Sequence, residues 1–552
     1  MLLYFCLLAF IPLHAKSVGD ATTAKISSAN LSDNTTVFDI NNWLYWQSNA
    51  GLSGHNPFSG NSGGIFQKNM TSAIYVDGFV LGVNLATDDQ PIRVGGRTYR
   101  TGMIPGNLNN DAQSLKIYRI RPDWKSLTYF DLIEDAAKLF NVSPNDVTAE
   151  MTEEVYNQYA NDWKNWPVAL GAPFVDVNQN GIYDPVLDND GYPDKSKGDY
   201  PGLADASQII WYVMNDSDAG KTFNFLGAKP IGFELQVTVW TMQYAPFQNV
   251  IFKKFKLKYN GQYHSNETRI GLFGDLDIGD YSDDLVGCDS TLRLGYTYNS
   301  AAYDKDFDPF LTPPPAVGFM YLPELSSDSE IQRLHSFGYF SAGGMWSDPP
   351  LGIYDGTLSW FNLLRGNEPN TNLDNPTPMK HMSGPMAGLP TYFPFDGDPE
   401  EDPNGNNSDI DGHGQAQGPG DRRMVITLPA FEMDPGDEQE FTFAILGEFG
   451  VNNLNAVTRL KELATAVHQE LQSPHNIRVL TKNVRIAENT ALAQTHFEIK
   501  IDDPASSVSS AWLSIDSKDA STVNIELFDD GTHGDSLAND HVWSISKSLQ
   551  TK

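Results

Sequence analysis

The residues of this chain best suited to chemistry are oxygen donors at alternate positions. Asp176, Asn178 and Asn180 are followed by Gly181 and Asp184, and a second block repeats the theme with Asp188, Asp190, Gly191 and Asp194. Donors at every second position can face one side of a tight loop, glycine takes the sharp turn at position six, and a later carboxylate closes the shell. A chain wraps a hard cation in this way. The spacing predicts calcium held by Asp176, Asn178, Asn180 and Asp184, with the carbonyl of Ile182 at loop position seven, and a neighbouring site from Asp188, Asp190 and Asp194. Leu187 stands where an EF-hand needs a bidentate Glu, so the loop is not of that kind. The competing reading is a plain Asn/Asp/Gly turn.

A second acidic constellation contains Asp275, Asp277, Asp280, Asp283 and Asp284, with Asp289 close behind. Folded together, these carboxylates would repel one another unless a cation or protons intervened. They form the second predicted calcium site. Paired carboxylates also suit glycoside hydrolysis, but nothing here distinguishes an acid from a nucleophile. Gly60-Asn61-Ser62-Gly63-Gly64 matches G-x-S-x-G, yet it lacks the preceding strand and following helix that a nucleophile elbow requires. It reads as a glycine loop. No phosphate loop, zinc motif or dinucleotide fingerprint occurs in the sequence. His533 and His541 flank Asp529, Asp530, Asp535 and Asp540 without a recognised ligand spacing, and these read as polar hairpin residues.

The elements that must position these loops are mostly strands. Residues 72–83 read as two buried strands around Asp77-Gly78, and Arg93–Tyr99 as a further hairpin segment. Residues 208–214, 234–244 and 249–259 read as long strands, the last with Phe255, Leu257 and Tyr259 on one face and Lys254, Lys256 and Lys258 on the other. That lysine row is expected to be a solvated face that blunts sheet pairing. A helical insertion is expected over 127–166. Its aromatic stripe (Tyr156, Tyr159, Trp163, Trp166) is a docking face onto a core. Residues 300–420 read as long loops, with a polar, mobile insert over 396–412. Residues 422–428 and 440–446 read as a strand pair joined through Pro435-Gly436-Asp437, and 453–472 as a closing helix ended by Ser473-Pro474. Strands near 477–485, 494–501, 510–515 and 522–528, with one more after the 529–540 turn, form a small all-β unit over 474–552. That unit has too few strands for a full sandwich, which suggests a truncated module. The expected class is therefore mainly β: a large β-sandwich-type domain over 41–473 with helical insertions, then a small Ig-like β-sandwich.

Composition sets the compartment. Seventy acidic residues face 37 basic ones, a formal charge of −33, which argues against nucleic acid or an anionic membrane surface as partner. Residues 1–15 form a short apolar run ending in Ala15, as in a secretory signal peptide, and 16–40 a polar leader. No Lys or Arg precedes the run, which points to a start codon further upstream. No later stretch is long and apolar enough for an integral membrane span. Cleavage would leave Cys288 as the one cysteine, so no internal disulfide could brace the exported chain, and Cys288 reads as a small buried filler.

Several of these stretches resemble known families. The Asp176 loop is similar to linear D-x-N-x-N-G-x-x-D calcium repeats of extracellular proteins. The run from Asp275 to Asp289 resembles the D-x-D-I-G-D-x-x-D-D-L-V-G-C-D block of large secreted bacterial proteins. Phe174–Asp184, Asp421-Arg422-Arg423, Pro435-Gly436-Asp437 and Asn453-Leu454-Asn455 resemble further phrases of the same proteins, and Asp529 to Asp540 resembles a turn of an Ig-like module. Those proteins commonly end in a type IX secretion sorting tail, which this chain lacks. The resemblance implies a location, secreted or on the surface of a Gram-negative bacterium after passage through the periplasm, and no reaction. The resulting expectation is a non-enzymatic, calcium-stabilised structural or adhesive protein whose partner is a surface protein or glycan. The alternative is a secreted glycan-binding or glycan-degrading protein, which would need an aromatic platform beside two carboxylates in one cleft.

Overall fold

The structure is a computed structural model. It describes residues 31–472 except 33, 87–88 and 324–331, the strands within 476–549, and residues 528–530, 532 and 533. The proposed signal peptide, residues 16–30 and 33 of the leader, Ser473-Pro474, Asp535, Asp540 and His541 lie outside the described residues.

Two large antiparallel sheets form the body. The nine-stranded sheet runs Asp284–Asp289, Leu294–Asn299, Ala316–Leu322, Glu438–Glu448, Val250–Tyr259, Phe233–Thr241, Gln208–Asn215 and Ile104–Pro105, with Tyr118–Ile120 also paired to Gln208–Asn215. The six-stranded sheet runs Ser336–Ser341, Arg422–Thr427, Ser265–Asp275, Val76–Leu85 and Ile92–Gly96, with Phe431–Met433 also on Ser265–Asp275. Period-two alternation explains the packing. Ile251, Phe255, Leu257 and Tyr259 of the nine-stranded sheet point into the same core as Phe79, Leu272 and Ile426 of the other sheet. The chain is thus a mainly β, sandwich-type protein.

Helices cover parts of both outer faces, which is why the strands beneath them are apolar on both sides. Helix Tyr354–Leu364 lies on the six-stranded sheet. Gly82 and Gly271 allow its approach, because a Cβ at either would meet Leu364 at 2.7–2.8 Å. Helix Asn453–Gln472 covers one end of the nine-stranded sheet with Val457, Leu460, Ala464 and Val467 against Tyr296, Ala444 and Leu446. The helical insertion covers the other end as helices Tyr129–Leu139 and Ala149–Lys164, the second capped by Thr148 through the Met151 amide. Tyr159, Trp163 and Trp166 are buried, Tyr156 half-buried, and the stripe docks as expected. Beneath it, Arg119 Nη1 donates to Asp135 at 2.7 Å and the Tyr159 hydroxyl donates to the same carboxylate at 2.9 Å.

Several sequence expectations need correction. Val76–Leu85 is one strand, with Asp77 buried inside it rather than in a turn. Arg422–Thr427 and Glu438–Glu448 do not pair; they belong to different sheets. Residues 300–420 contain two strands and a helix besides loops. The acidic insert is packed: Asp409 and Asp411 are buried and accept amide bonds from Met382, Ser383 and Val286. The lysine row does not guard an edge, since its strand is central. Lys254 pairs with Glu440 and Lys256 with Glu438 of the adjacent strand.

The inner face of that lysine strand carries a residue that sequence periodicity did not single out. Lys253, 1% exposed, sits in the core between Ile251 and Phe255. Its ammonium donates to Asp77 Oδ1 at 2.5 Å and to the Tyr45 hydroxyl and Ser53 Oγ at 2.9 Å each. This network joins both sheets to the small N-terminal sheet Thr35–Phe38, Trp43–Ser48 and Gly64–Phe66. Cys288 is buried and its thiol donates to the Pro394 carbonyl at 3.3 Å. After residue 475 the described strands are Asn476–Val479, Ala493–Asp502 and Val542–Leu549 in one sheet and Ala511–Asp516 with Thr522–Leu527 in another.

Candidate metal centre and sheet groove

The first Asp loop follows the two-residue strand Phe174–Val175, paired with Tyr200–Pro201, and that ladder brings Asp199 beneath the loop. Buried Asp199 accepts the amides of Val177 at 2.9 Å and Asp184 at 3.1 Å. Burial works against its charge, but the backbone donors outweigh it and hold the carboxyl below the usual range. Asp176 accepts the amides of Asn180 and Gly181 at 3.2 and 2.6 Å, and Gly181 takes the positive φ of +75° that the turn needs. The side-chain amides of Asn178 and Asn180 donate to the two oxygens of Asp184 at 3.1 and 3.3 Å. Asp176, Asn178, Asn180 and Asp184 therefore converge. A half-turn of either amide would present oxygen in place of nitrogen. The Ile182 side chain points to solvent, so only its carbonyl could serve. Asp199 was missed because it lies outside the repeat.

Asp188, Asp190 and Asp194 do not form a tight cluster, although all three act on Lys125. Asp188 pairs with Lys125 and accepts the amides of Asp190 and Tyr192 at 2.9 and 3.0 Å. Asp194 pairs with Lys197 at 2.8 Å and accepts Ser196 Oγ at 2.6 Å. The Lys125 bond, with the Tyr192 and Asp190 amides, holds the Asp188 carboxyl down to about 2. Asp188 and Asp194 thus already have cationic partners.

The second constellation splits, and one half of it forms the tightest acidic cluster among the described residues. Asp275 ends its strand opposite Arg423, and this register places Asp421 beside Asp275 and Asp277. Carboxylate oxygens of all three lie within 4.8 Å of one another. The Tyr99 hydroxyl donates to Asp275 at 2.9 Å, and Arg423 reaches Asp421 at 2.7 Å, Asp348 at 3.5 Å and Asp275 at 3.6 Å. Three carboxylates thus pair with one guanidinium, and Asp277 lies within its field. Burial and the charge of Asp421 push the Asp277 carboxyl up to about 7, and burial with the charge of Asp277 raises that of Asp275. At neutral pH the cluster must hold protons or a cation, and a set made only of oxygens suits a hard one. Asp421 and its cross-strand placement were not legible as site features, since 146 residues separate it from Asp275.

The other half of the constellation goes elsewhere. Asp280 pairs with Lys305 at 2.6 Å. Asp283 accepts the Asn299 amide at 2.7 Å near Asp304, and burial with the charges of Asp304 and Asp280 pushes it up to about 6. Asp284 is buried and accepts the Ile278 amide at 3.3 Å; burial, then the charge of Asp277, raises its carboxyl.

A separate concavity of about 500 Å³ lies on the outer face of the nine-stranded sheet, between the helical insertion and helix Asn453–Gln472. Its floor carries Gln236, Trp240, Phe252, Lys254 and Glu440, with Trp211 at one wall and Leu471 at the other. Trp240 stacks on Phe252 with centroids 5.2 Å apart and an interplanar angle of 16°. An adjoining depression of about 210 Å³ shares Trp240, Met242, Leu203 and Leu471 and adds Tyr244. The groove and the Asp275 cluster lie on different sheets, so the aromatic platform and the paired carboxylates do not share a cleft.

No family model matches the chain, and no curated protein matches it. Among solved structures it is similar to a polysaccharide lyase at 6% identity, covering 62% of this chain and 32% of that one, with a TM-score of 0.18. It is also similar to a mutant heparan sulfate lyase from Pedobacter heparinus at 7% identity, covering 69% and 32%, with a TM-score of 0.18. The chain spans about a third of the length of both, and overlaps this slight carry no functional argument. Among the described residues no helix is long and apolar enough to cross a membrane.

Proposed function

We propose that the protein is an exported, non-enzymatic surface or extracellular module, structural or adhesive in role, whose sandwich is stabilised by calcium. The observation that carries this reading is the convergence of Asp275, Asp277 and Asp421 on one point with a single arginine to offset them. A divalent cation there would relieve the repulsion that burial intensifies. The converging oxygens of Asp176, Asn178, Asn180 and Asp184 provide a second, exposed site of the same character. The acidic composition supports the same reading, and the resemblance of residues 275–289 to secreted bacterial proteins supports export through the type IX route.

The test is thermal unfolding of the chain from residue 16 onward in millimolar calcium, in magnesium and in excess EGTA. A ligand confined to the folded state and present at 100 times its Kd adds about 2.7 kcal/mol. At ~2.1 cal/mol/K per residue, the roughly 430 described residues of 31–472 convert this into a rise of about 3 °C. The expected result is a rise with calcium that magnesium does not reproduce. Equal midpoints in calcium and EGTA would overturn the proposal.

A further inference from the structure

We infer that a further calcium ion binds at Asp284 and Asn299, in a buried site flanked by Asp283 and Asp304 and separate from the Asp275 centre. The inference rests on the reading of the protein as calcium-stabilised and adds a site to it. Strand register builds the site. Asp284–Asp289 pairs antiparallel with Leu294–Asn299, which sets Asp284 directly opposite Asn299. Opposed residues carry their side chains on one face, with Cβ atoms about 4.5–5.5 Å apart. That face is the inner one, because Val286, two residues on, packs in the core between the sheets. Asp284 is 1% exposed and Asn299 0%.

The decisive feature is a pair of acceptor oxygens without donors. Asp284 Oδ2 accepts the Ile278 amide at 3.3 Å, but Asp284 Oδ1 and Asn299 Oδ1 meet no donor among the described residues. The Asn299 carboxamide is held among the acids, since its nitrogen donates to Asp283 Oδ1 at 2.7 Å and to Asp304 Oδ2 at 3.0 Å. Its oxygen, on the same carbon, lies beside both carboxylates. The charges of Asp277, Asp283 and Asp304 all act on Asp284, while Lys305 is taken by Asp280. Two acceptors cannot satisfy each other, and a cation satisfies both at once. The carboxylates are more widely spaced than at the Asp275 centre, and the carboxamide spans the gap between Asp283 and Asp304. The loop leading into Asp284 closes the site from one side. Gly279, at φ +63°, lies so near Asp304 that a Cβ would meet the carboxylate at 2.5 Å, and the Asp280 amide donates to Asp304 Oδ2 at 2.9 Å. A donor set made only of oxygens selects a hard cation. Burial of Asp284 and Asn299 leaves little room for the waters that magnesium retains, which favours calcium. The ion would tie the loop that follows Ser265–Asp275 of the six-stranded sheet to the edge hairpin of the nine-stranded one.

Calcium content of the full chain, measured by plasma mass spectrometry after dialysis against dilute calcium, tests the inference, with melting scans on the same samples. Asp284→Asn should lose one calcium per chain relative to the parent and part of the calcium-dependent rise in midpoint. In EGTA it should melt no lower than the parent, because a buried carboxylate without a cation has been removed; a purely structural carboxylate would instead leave the variant less stable in both buffers. Asn299→Asp keeps an oxygen at the site and should retain the ion, whereas Asn299→Leu should lose it, which keeps the test open if Asp284→Asn folds poorly. Combining Asp284→Asn with Asp275→Asn and Asp421→Asn should remove one ion more than the latter pair alone. The inference is overturned if Asp284→Asn and Asn299→Leu both hold as much calcium as the parent, which would leave a proton as the occupant. A parent that keeps its calcium-dependent midpoint while these variants match it removes only this site; a parent that binds no calcium removes the whole calcium reading.

Discussion

Replacing Lys253 with Met tests how the sandwich is held together. Methionine has nearly the same length and suits the surrounding Ile251 and Phe255, so little packing is lost and the change is mainly electrostatic. It leaves the Asp77 carboxylate, 0% exposed, with Tyr45 and Ser53 as neutral partners, no adjacent ammonium and only the weaker field of Arg97 to offset its charge. Removing one member of a buried ion pair costs about 3–5 kcal/mol, because the other charge stays desolvated. With an unfolding entropy of ~2.1 cal/mol/K per residue over the roughly 440 residues of 31–472, the midpoint should fall by about 3–5 °C. The double variant Lys253→Met/Asp77→Asn removes both charges, and its amide can still bond Tyr45 and Ser53, so it should regain most of the loss. Differential scanning calorimetry in calcium reads all three proteins. A single variant as stable as the parent, or a double variant no better than the single, would refute the argument.

Two further predictions concern the acidic sites. Asp275→Asn combined with Asp421→Asn should abolish most of the calcium-dependent rise in melting midpoint, whereas Asp188→Asn should leave it within about 1 °C of the parent, since Asp188 already pairs with Lys125; equal losses in both would refute this assignment. In EGTA, stability should decline as pH rises from 4 to 7. The Asp277 carboxyl holds its proton to about 7 when folded but releases it near ~3.9 when unfolded. Its contribution is therefore complete below pH ~4 and lost as pH passes through 7, and melting scans in calcium across the same range should show a smaller decline.

The sequence alone determined the class, the long strands and the two docking helices, because each depends on local periodicity. Gln208–Asn215 is a continuous apolar run, Phe233–Thr241 and Val250–Tyr259 alternate with period two, and the aromatic stripe of 149–164 and the aliphatic stripe of 453–472 repeat every three or four residues. The Asp176 loop was legible for the same reason, since its donors lie within nine residues of chain. Only the tertiary structure decided which carboxylates meet. Strand register set Arg423 opposite Asp275 and so carried Asp421 to Asp277, while Asp280 and Asp188 went to lysines that are distant in sequence. Strand pairing likewise turned the lysine row from an edge guard into one wall of a cross-strand ion-pair ladder and buried Lys253 against Asp77. Periodicity assigns a side chain to a face of its own element. The partner it meets depends on which element packs there, and that is a property of long-range pairing which local pattern does not encode.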